Sequence, residues 1–106
     1  MVCLDDFKKI ELRVAKVIQA EKVEGSGKIL KLKIEIGQES KQILAGIGKF
    51  YNPGDLIGKA IVVVANLEPK NLLGYESQGM LLAADNNGEP VLLVPDKNIN
   101  SGDIVQ

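Results

Sequence analysis

The chain has 106 residues, of which 45% are hydrophobic and 25% charged, and its formal net charge is −1. This composition is typical of one globular domain over residues 1–106 that can bury a core, and it excludes disordered and fibrous proteins. There is no histidine, and Cys3 is the only cysteine, which excludes an intrachain disulfide and a thiolate metal cluster. Because the acidic residues show no recognisable pairing either, we expect no catalysis, no metal site and no cofactor.

The charges are unevenly distributed along the chain. Residues 1–53 carry ten Lys/Arg and seven Asp/Glu, a net charge of +3, whereas residues 54–106 carry three and seven, a net charge of −4. Such an asymmetry can give an acidic protein a basic face. No apolar run has the length of a membrane span, and the first residues lack the pattern of a signal peptide, so we expect a cytoplasmic protein without a membrane partner.

The first half of the chain predicts a helical turn followed by a strand. Asp5 and Asp6 precede an apolar and basic stretch that ends at Ile10, and aspartates are favoured at the start of a helix. Residues 12–23 then alternate in polarity, which indicates a strand. The alternation slips near Ala15, as it does at a β-bulge.

Residues 29–37 carry the clearest strand pattern in the chain. Apolar side chains point to one face and polar ones to the other, and a further strand is predicted over residues 42–47. The apolar set is Leu30, Leu32, Ile34 and Ile36, and the polar set is Lys31, Lys33 and Glu35. We therefore expect this strand to have one buried and one wet, mainly basic face.

The second half is organised around a polar connection over residues 66–84. It follows a β-branched run, Lys59–Ala65, which predicts a strand covered on both faces. It ends in the apolar run Met80–Ala84, which predicts a second buried strand. A polar loop between two core strands can present binding groups, or it can be a solvated turn. Residues 90–95 predict a short edge strand fenced by prolines, and an apolar pair, Ile104-Val105, lies in the tail.

Short strands without a long helix predict an all-β fold. The favoured form is an OB-fold, a five-stranded Greek-key barrel, here with short helical turns and a C-terminal extension. Barrels of this kind bind ligands on one strand face and its adjoining loops. Lys31 and Lys33 could meet successive phosphates on that face, or they could simply be solvated. If the barrel closes as predicted, the same face could also hold four further cations: Arg13, Lys28, Lys49 and Lys70.

Motifs spread over nearly the whole chain resemble one family. They are residues 5–14, 27–30, 46–53, 56–59 and 64–70 and, most specifically, the sequence Gly-Tyr-Glu-Ser-Gln-Gly-Met-Leu-Leu-Ala-Ala of residues 74–84. Together they resemble the tRNA-binding domain that occurs at the C-terminus of methionyl-tRNA synthetases or as a separate small subunit of them. Stand-alone bacterial tRNA-binding proteins carry a similar domain.

The resemblance implies an OB-fold that binds the outer corner of tRNA by shape and backbone charge, which suits an RNA duplex. It also implies a homodimer formed partly through residues 95–106, a methionyl-tRNA synthetase catalytic chain as partner, and a role in raising tRNA affinity. By position, lysines would meet phosphate, two polar side chains would bind 2′-hydroxyl or phosphate, and a methionine would pack beneath them. This set is Lys28, Lys33, Lys49, Asn66, Lys70, Ser77 and Met80.

Two departures from the family pattern bear on binding. Residues 22–27 replace the family's usual His-Pro-Asn-Ala-Asp, and Asn71 and Leu73 stand where relatives often carry basic residues. Fewer cations predict weaker, more salt-sensitive binding. The alternative function is a dimeric peptide-binding or chaperone-like protein of the same fold.

Overall fold

A computed structural model describes residues 1–106. The protein is mostly β-structure, with two four-residue helices. In chain order the elements are α1 (Leu4–Phe7), β1 (Leu12–Lys22), β2 (Leu30–Ile36), β3 (Glu39–Ala45), α2 (Pro53–Leu56), β4 (Ala60–Val64), β5 (Lys70–Leu72), β6 (Tyr75–Ser77), β7 (Met80–Leu81), β8 (Ala83–Asn86), β9 (Glu89–Leu92) and β10 (Ile104–Val105). Neither helix has the length and apolarity that crossing a membrane would require.

The main sheet is antiparallel and has the strand order β3-β2-β1-β4-β7. Strand β1 is its organising element, because β4 pairs with residues 12–16 on one edge while β2 pairs with residues 16–22. The register shifts between Val17 and Gln19, so the bulge that the sequence predicts near Ala15 lies at Ile18 instead. A bulge bends its strand, and this one lies where β1 passes from one partner strand to the other. The predicted all-β, OB-type barrel is confirmed.

The barrel is closed by side chains as well as by backbone. The edge of β3 meets the segment just before β7, where Gln78 N donates to Gln42 O at 2.8 Å and Gln42 N donates to Gln78 Oε1 at 2.9 Å. A Cβ atom at Gly79 would lie 2.9 Å from the carbonyl oxygen of Val64, closer than side chains tolerate. Glycine at this position therefore permits a close approach of two backbone segments.

The core lies inside the curled sheet and consists of aliphatic side chains. Leu30, Leu32 and Ile34 of β2 are buried, as the period-2 pattern predicts, and Ile36 is half-buried. Helix α2 adds Leu56, which is fully buried. Removing one such side chain from water contributes roughly 1.5–3 kcal/mol. The core therefore holds β2 with its other face, which carries Lys31 and Lys33, turned outward.

Two predictions for residues 66–84 are wrong. The polar connection is not only a loop, because β5 and β6 pair as a separate two-stranded hairpin. The run Met80–Ala84 is not a buried strand, since Met80 is 48% exposed and Ala83 and Ala84 are exposed. Strand β7 pairs only with Val63 and Val64 of β4, at the end of the sheet, so an apolar sequence here does not imply burial.

The C-terminal segment is attached to the start of β1. Strand β10 pairs with Leu12 and Arg13, beyond the part of that strand that β2 occupies. Gly102 N donates to Val14 O at 2.7 Å, and Val14 N donates to Asp103 O at 2.9 Å. The extension thus completes a stretch of sheet edge that the other strands leave open.

Candidate functional site

An open groove lies on the outer face of β1, β2 and β3. Its volume is about 610 Å³, and its polar lining comes from all three strands: Gln19, Glu21, Lys31, Lys33, Ser40, Lys41 and Gln42. Strand register arranges much of this lining in rows, because residues paired across a sheet share a face. One row is Gln19, Lys33 and Gln42, and the next is Glu21, Lys31 and Leu44.

Lys33 occupies the centre of its row. Its side chain is exposed and forms no ion pair or hydrogen bond within the chain. Gln19 and Gln42 flank it, and amide groups both donate and accept hydrogen bonds. Gln42 Nε2 already donates to the Glu76 carbonyl at 2.9 Å, so Gln42 offers a ligand mainly its oxygen as an acceptor. An ammonium group between two amides is suited to a phosphate and its neighbouring hydroxyls.

Lys31, two residues earlier on the same strand face, has a different environment. Its ammonium donates to Glu21 Oε1 at 2.7 Å and lies 4.4 Å from the centre of the Tyr75 ring. The hydrogen bond to Glu21 raises the pKa of Lys31 above its ordinary value, against the opposing effect of burial. The charge therefore persists at neutral pH but is already compensated.

The β1–β2 loop brings two of the predicted lysines together at the end of the groove beyond the Glu21–Lys31 row. Ser26 Oγ accepts from Ile29 N at 3.2 Å, and Val23 N donates to Ile29 O at 3.1 Å, so the loop folds on itself. The Lys28 carbonyl accepts from Gly48 N at 2.7 Å, which places Lys28 beside the turn that carries Lys49. Both lysines are exposed.

The β5–β6 hairpin overhangs the same surface. Lys70 pairs with Ser77, and Leu72 with Tyr75, so these four side chains share one face of the hairpin. That face is turned to the barrel, because Tyr75 covers Lys31 and Ser77 Oγ accepts from Leu44 N at 3.0 Å. The hairpin thus carries exposed Lys70 towards the groove side.

Arg13 does not share the face of Lys31 and Lys33, and this sequence-based expectation is wrong. It lies eight residues along β1 from Glu21, about 26 Å in an extended strand. Its guanidinium donates to Glu11 Oε1 at 2.8 Å and to the Gly102 carbonyl at 2.7 Å. Arg13 instead connects β1 to the C-terminal segment.

Asn66 and Ser77, expected to bind 2′-hydroxyl or phosphate, are occupied by contacts within the protein. Asn66 Oδ1 accepts from Glu11 N at 2.8 Å, and its Nδ2 donates to Lys9 O at 2.7 Å. The Ser77 hydroxyl donates to Gly79 O at 3.0 Å while it accepts from Leu44 N. Met80, expected to pack beneath them, is 48% exposed.

Sequence reasoning missed the glutamines of the groove. Gln19 belongs to the face of Lys33 only because the bulge at Ile18 resets the alternation of β1. Gln42 begins a strand that the sequence predicts, but its pairing with Lys33 of β2 depends on the register between the two strands. A period-2 pattern assigns residues to the faces of one strand, whereas the rows come from pairing between strands.

Comparison with known proteins identifies the family. Residues 12–104 match a family model described as "Putative tRNA binding domain". The chain belongs to this family. A methionine–tRNA ligase of Caldanaerobacter subterraneus subsp. tengcongensis is 55% identical over 101 residues, which are 95% of this chain and 16% of that protein. The chain thus corresponds to a small part of the curated ligases it matches, and the resemblance predicted from sequence is confirmed.

Solved structures share the whole fold. A MetRS-related protein from Pyrococcus horikoshii is 34% identical with a TM-score of 0.95, and the match covers 100% of this chain and 98% of that one. The chaperone CsaA from Bacillus anthracis is 36% identical with a TM-score of 0.92, and the match covers 100% and 99%. The same barrel therefore occurs in proteins named for a synthetase and for a chaperone.

Proposed function

We propose that this chain binds tRNA without catalysing a reaction on it. It acts as a module joined to, or associated with, a methionine–tRNA ligase and raises the ligase's affinity for tRNA. The observation that carries this proposal is the polar groove around Lys33, which lies on the strand face where OB-fold barrels bind oligonucleotides, in a chain of the tRNA-binding-domain family. The cytoplasmic setting expected from the sequence stays a prediction.

Binding would depend on the shape and backbone charge of the RNA. Duplex RNA presents its 2′-hydroxyls and phosphates more readily than its base edges. Lys33 would bind phosphate in the groove, with Lys28 and Lys49 at one end and Lys70 on the overhanging hairpin. Because few cations contribute and Lys31 is ion-paired, we expect moderate affinity that falls steeply with salt.

Reversing one charge tests this proposal. Lys33→Glu should weaken tRNA binding by about tenfold or more at low salt and lower the slope of log Kd against log salt by about 1, because one phosphate contact is lost. Lys59→Glu, at an exposed lysine outside the groove lining, changes the net charge equally and serves as the control. Filter binding across a salt series measures both variants, and thermal unfolding checks that the barrel is intact.

Three results would count against tRNA binding. They are equal affinities of the two variants, no binding of the unaltered chain at about 50 mM salt, and equal binding of a DNA duplex. In each case the groove would not be a tRNA-binding surface.

We also propose that two copies of this chain form a homodimer through the C-terminal region. Several apolar side chains there are exposed in the single chain: Val91, Leu93, Val94, Ile99 and Ile104. Exposed apolar residues grouped in one region of a chain are typical of an interaction surface. Two binding sites per dimer would add avidity where both reach one ligase assembly.

A second candidate function is peptide binding. It is favoured by the structural similarity to the chaperone CsaA and by the exposure of Met80, since methionine side chains adapt to varied apolar ligands. Competition separates the two functions: an unfolded peptide that displaces tRNA, and that binds in preference to it, would support the chaperone-like function. If the peptide leaves tRNA binding unchanged, the tRNA function stands alone.

A further inference from the structure

We propose that Lys31 is a positioning residue, which together with Glu21 and Tyr75 holds the β5–β6 hairpin over the groove rather than neutralising a phosphate itself. The inference rests on the proposed tRNA-binding function, because the position of the hairpin matters only if a ligand uses this face. It assigns different roles to two lysines that lie two residues apart on one strand.

The hairpin is attached to the barrel at two places. At its base, Ser77 Oγ accepts from Leu44 N at 3.0 Å, and Gln42 Nε2 donates to the Glu76 carbonyl at 2.9 Å. Nearer the turn, no hydrogen bond joins residues 70–75 to the barrel, and the contact is the Tyr75 ring over Lys31. One attachment would let the hairpin pivot about its base, whereas two fix its direction.

The surroundings of Lys31 leave its ammonium little opportunity to bind an additional anion. A carboxylate oxygen of Glu21 lies at 2.7 Å and the Tyr75 ring centre at 4.4 Å, and the side chain is 25% exposed. A phosphate would have to displace Glu21 and approach a carboxylate left without its partner. Lys33 has neither obstacle, since no acidic residue pairs with it.

The consequence for binding passes through the turn end of the hairpin. Lys70 pairs with Ser77 at the anchored base, whereas Tyr75 pairs with Leu72 beside the turn. If the turn end swings away from Lys31, Tyr75 leaves the groove side although its own side chain is unchanged. Loss of Lys31 should therefore have the same effect on binding as loss of the Tyr75 ring.

A double-mutant cycle tests this equivalence. Lys31→Met and Tyr75→Leu should each weaken tRNA binding several-fold, and together they should weaken it no more than either one alone, because both remove the same contact. Lys33→Met is the matched control: combined with Tyr75→Leu its effect should add, as the effects of independent sites do. If Lys31→Met has its full effect in the Tyr75→Leu background, Lys31 contacts the RNA and the proposal is overturned.

Two tyrosine variants test the contact without relying on tRNA. Tyr75→Leu should abolish the upfield NMR shift that the ring gives the Lys31 ε-methylene protons, and should lower the backbone heteronuclear NOE of residues 72–75 at the turn end. Tyr75→Phe keeps the ring and should preserve both signals. A hairpin that stays rigid in Tyr75→Leu would overturn the proposal that the contact between Lys31 and Tyr75 holds it. If the hairpin loses rigidity but the unaltered chain does not bind tRNA, the proposed contact is supported and only the proposed function is rejected.

Discussion

The environment of a side chain, not its spacing in the sequence, separates the two lysines of β2. Lys31 is bonded to a carboxylate and covered by a ring, while Lys33 is exposed and without a partner. Arg13 shows the same principle, because its guanidinium is bonded to Glu11 and to the carbonyl of Gly102. A cation becomes available to a ligand only when the fold does not already provide it with an acceptor.

The pKa of Lys31 gives a prediction at this scale. The hydrogen bond that Lys31 donates to Glu21 raises this pKa above its ordinary value of 10.5, so in Glu21→Gln it should fall towards that value. Because the folded-state pKa is the higher one, the stability that protonation of Lys31 contributes is fully present below the unfolded pKa and is lost as pH rises through the folded pKa. NMR titration of the Lys31 side chain measures the shift, and Glu35→Gln, on the same strand face, is the control. An unchanged pKa in Glu21→Gln would contradict the ion pair.

Two hairpins of the chain, β5–β6 and β8–β9, have turns of the same backbone form but different sequence. Leu73-Gly74 has φ values of +54° and +83°, and Asn87-Gly88 has φ values of +53° and +91°. Both pairs have the positive φ values of a type I′ turn, for which Asn-Gly is a preferred sequence. A left-handed conformation costs most residues about 1–2 kcal/mol, and asparagine less. Leu73 is thus strained at an exposed position.

Exchanging these turn residues should change stability in opposite directions. Leu73→Asn should raise the free energy of unfolding by about 1 kcal/mol, because asparagine adopts the left-handed conformation at lower cost. Asn87→Leu, the reverse exchange at the equivalent position of the other turn, is the control. It should lower the free energy of unfolding by a similar amount. Urea denaturation measures the global effect, and hydrogen exchange of residues 70–77 measures the local one. A destabilising Leu73→Asn would show that the leucine side chain contributes packing.

Local patterns predicted those elements whose residues determine their own conformation. The alternation of β2 and the β-branched run of β4 fixed both strands to within two residues at either end. The hairpin of residues 70–77 was not predicted, because its strands are three residues long and its turn has leucine where asparagine is usual. The groove was predicted only through the lysines of β2, since its rows depend on pairing between strands and on the bulge at Ile18.

For the whole molecule, the apolar residues near the C-terminus are one of the sets that a single chain leaves uncovered, and residues at the N-terminus such as Val2 and Leu4 are another. Val94 is 52% exposed and Ile99 is 45% exposed, in the segment that follows β9. Burying such side chains against a second copy would be favourable at about 25 cal/mol per Å² of apolar area. Self-association would then place two grooves in one particle.

Introducing a charge into this surface should prevent formation of the proposed dimer. Val94→Glu should convert a dimer into a monomer in analytical ultracentrifugation, because an unpaired carboxylate is costly to bury. Ile57→Glu, at a residue 54% exposed beside the groove, is the control and should leave the dimer intact. The monomer should keep its affinity for tRNA at each site but lose avidity towards a ligase assembly. A Val94→Glu variant that remains dimeric would locate the interface elsewhere.

The pairing of β10 with the start of β1 also determines the order in which the fold can form. Strands β1, β2 and β3 are neighbours in the chain and can pair early. The pairing of Leu12 and Arg13 with Val105 and Ile104 of β10 can form only when the last residues of the domain are present. Contacts so distant in sequence form slowly. During synthesis, this edge of β1 stays open, and the Arg13 guanidinium lacks its Gly102 acceptor, until the ribosome has released residues 102–105. The final strand of the barrel is therefore set in place only after translation of its own segment is complete.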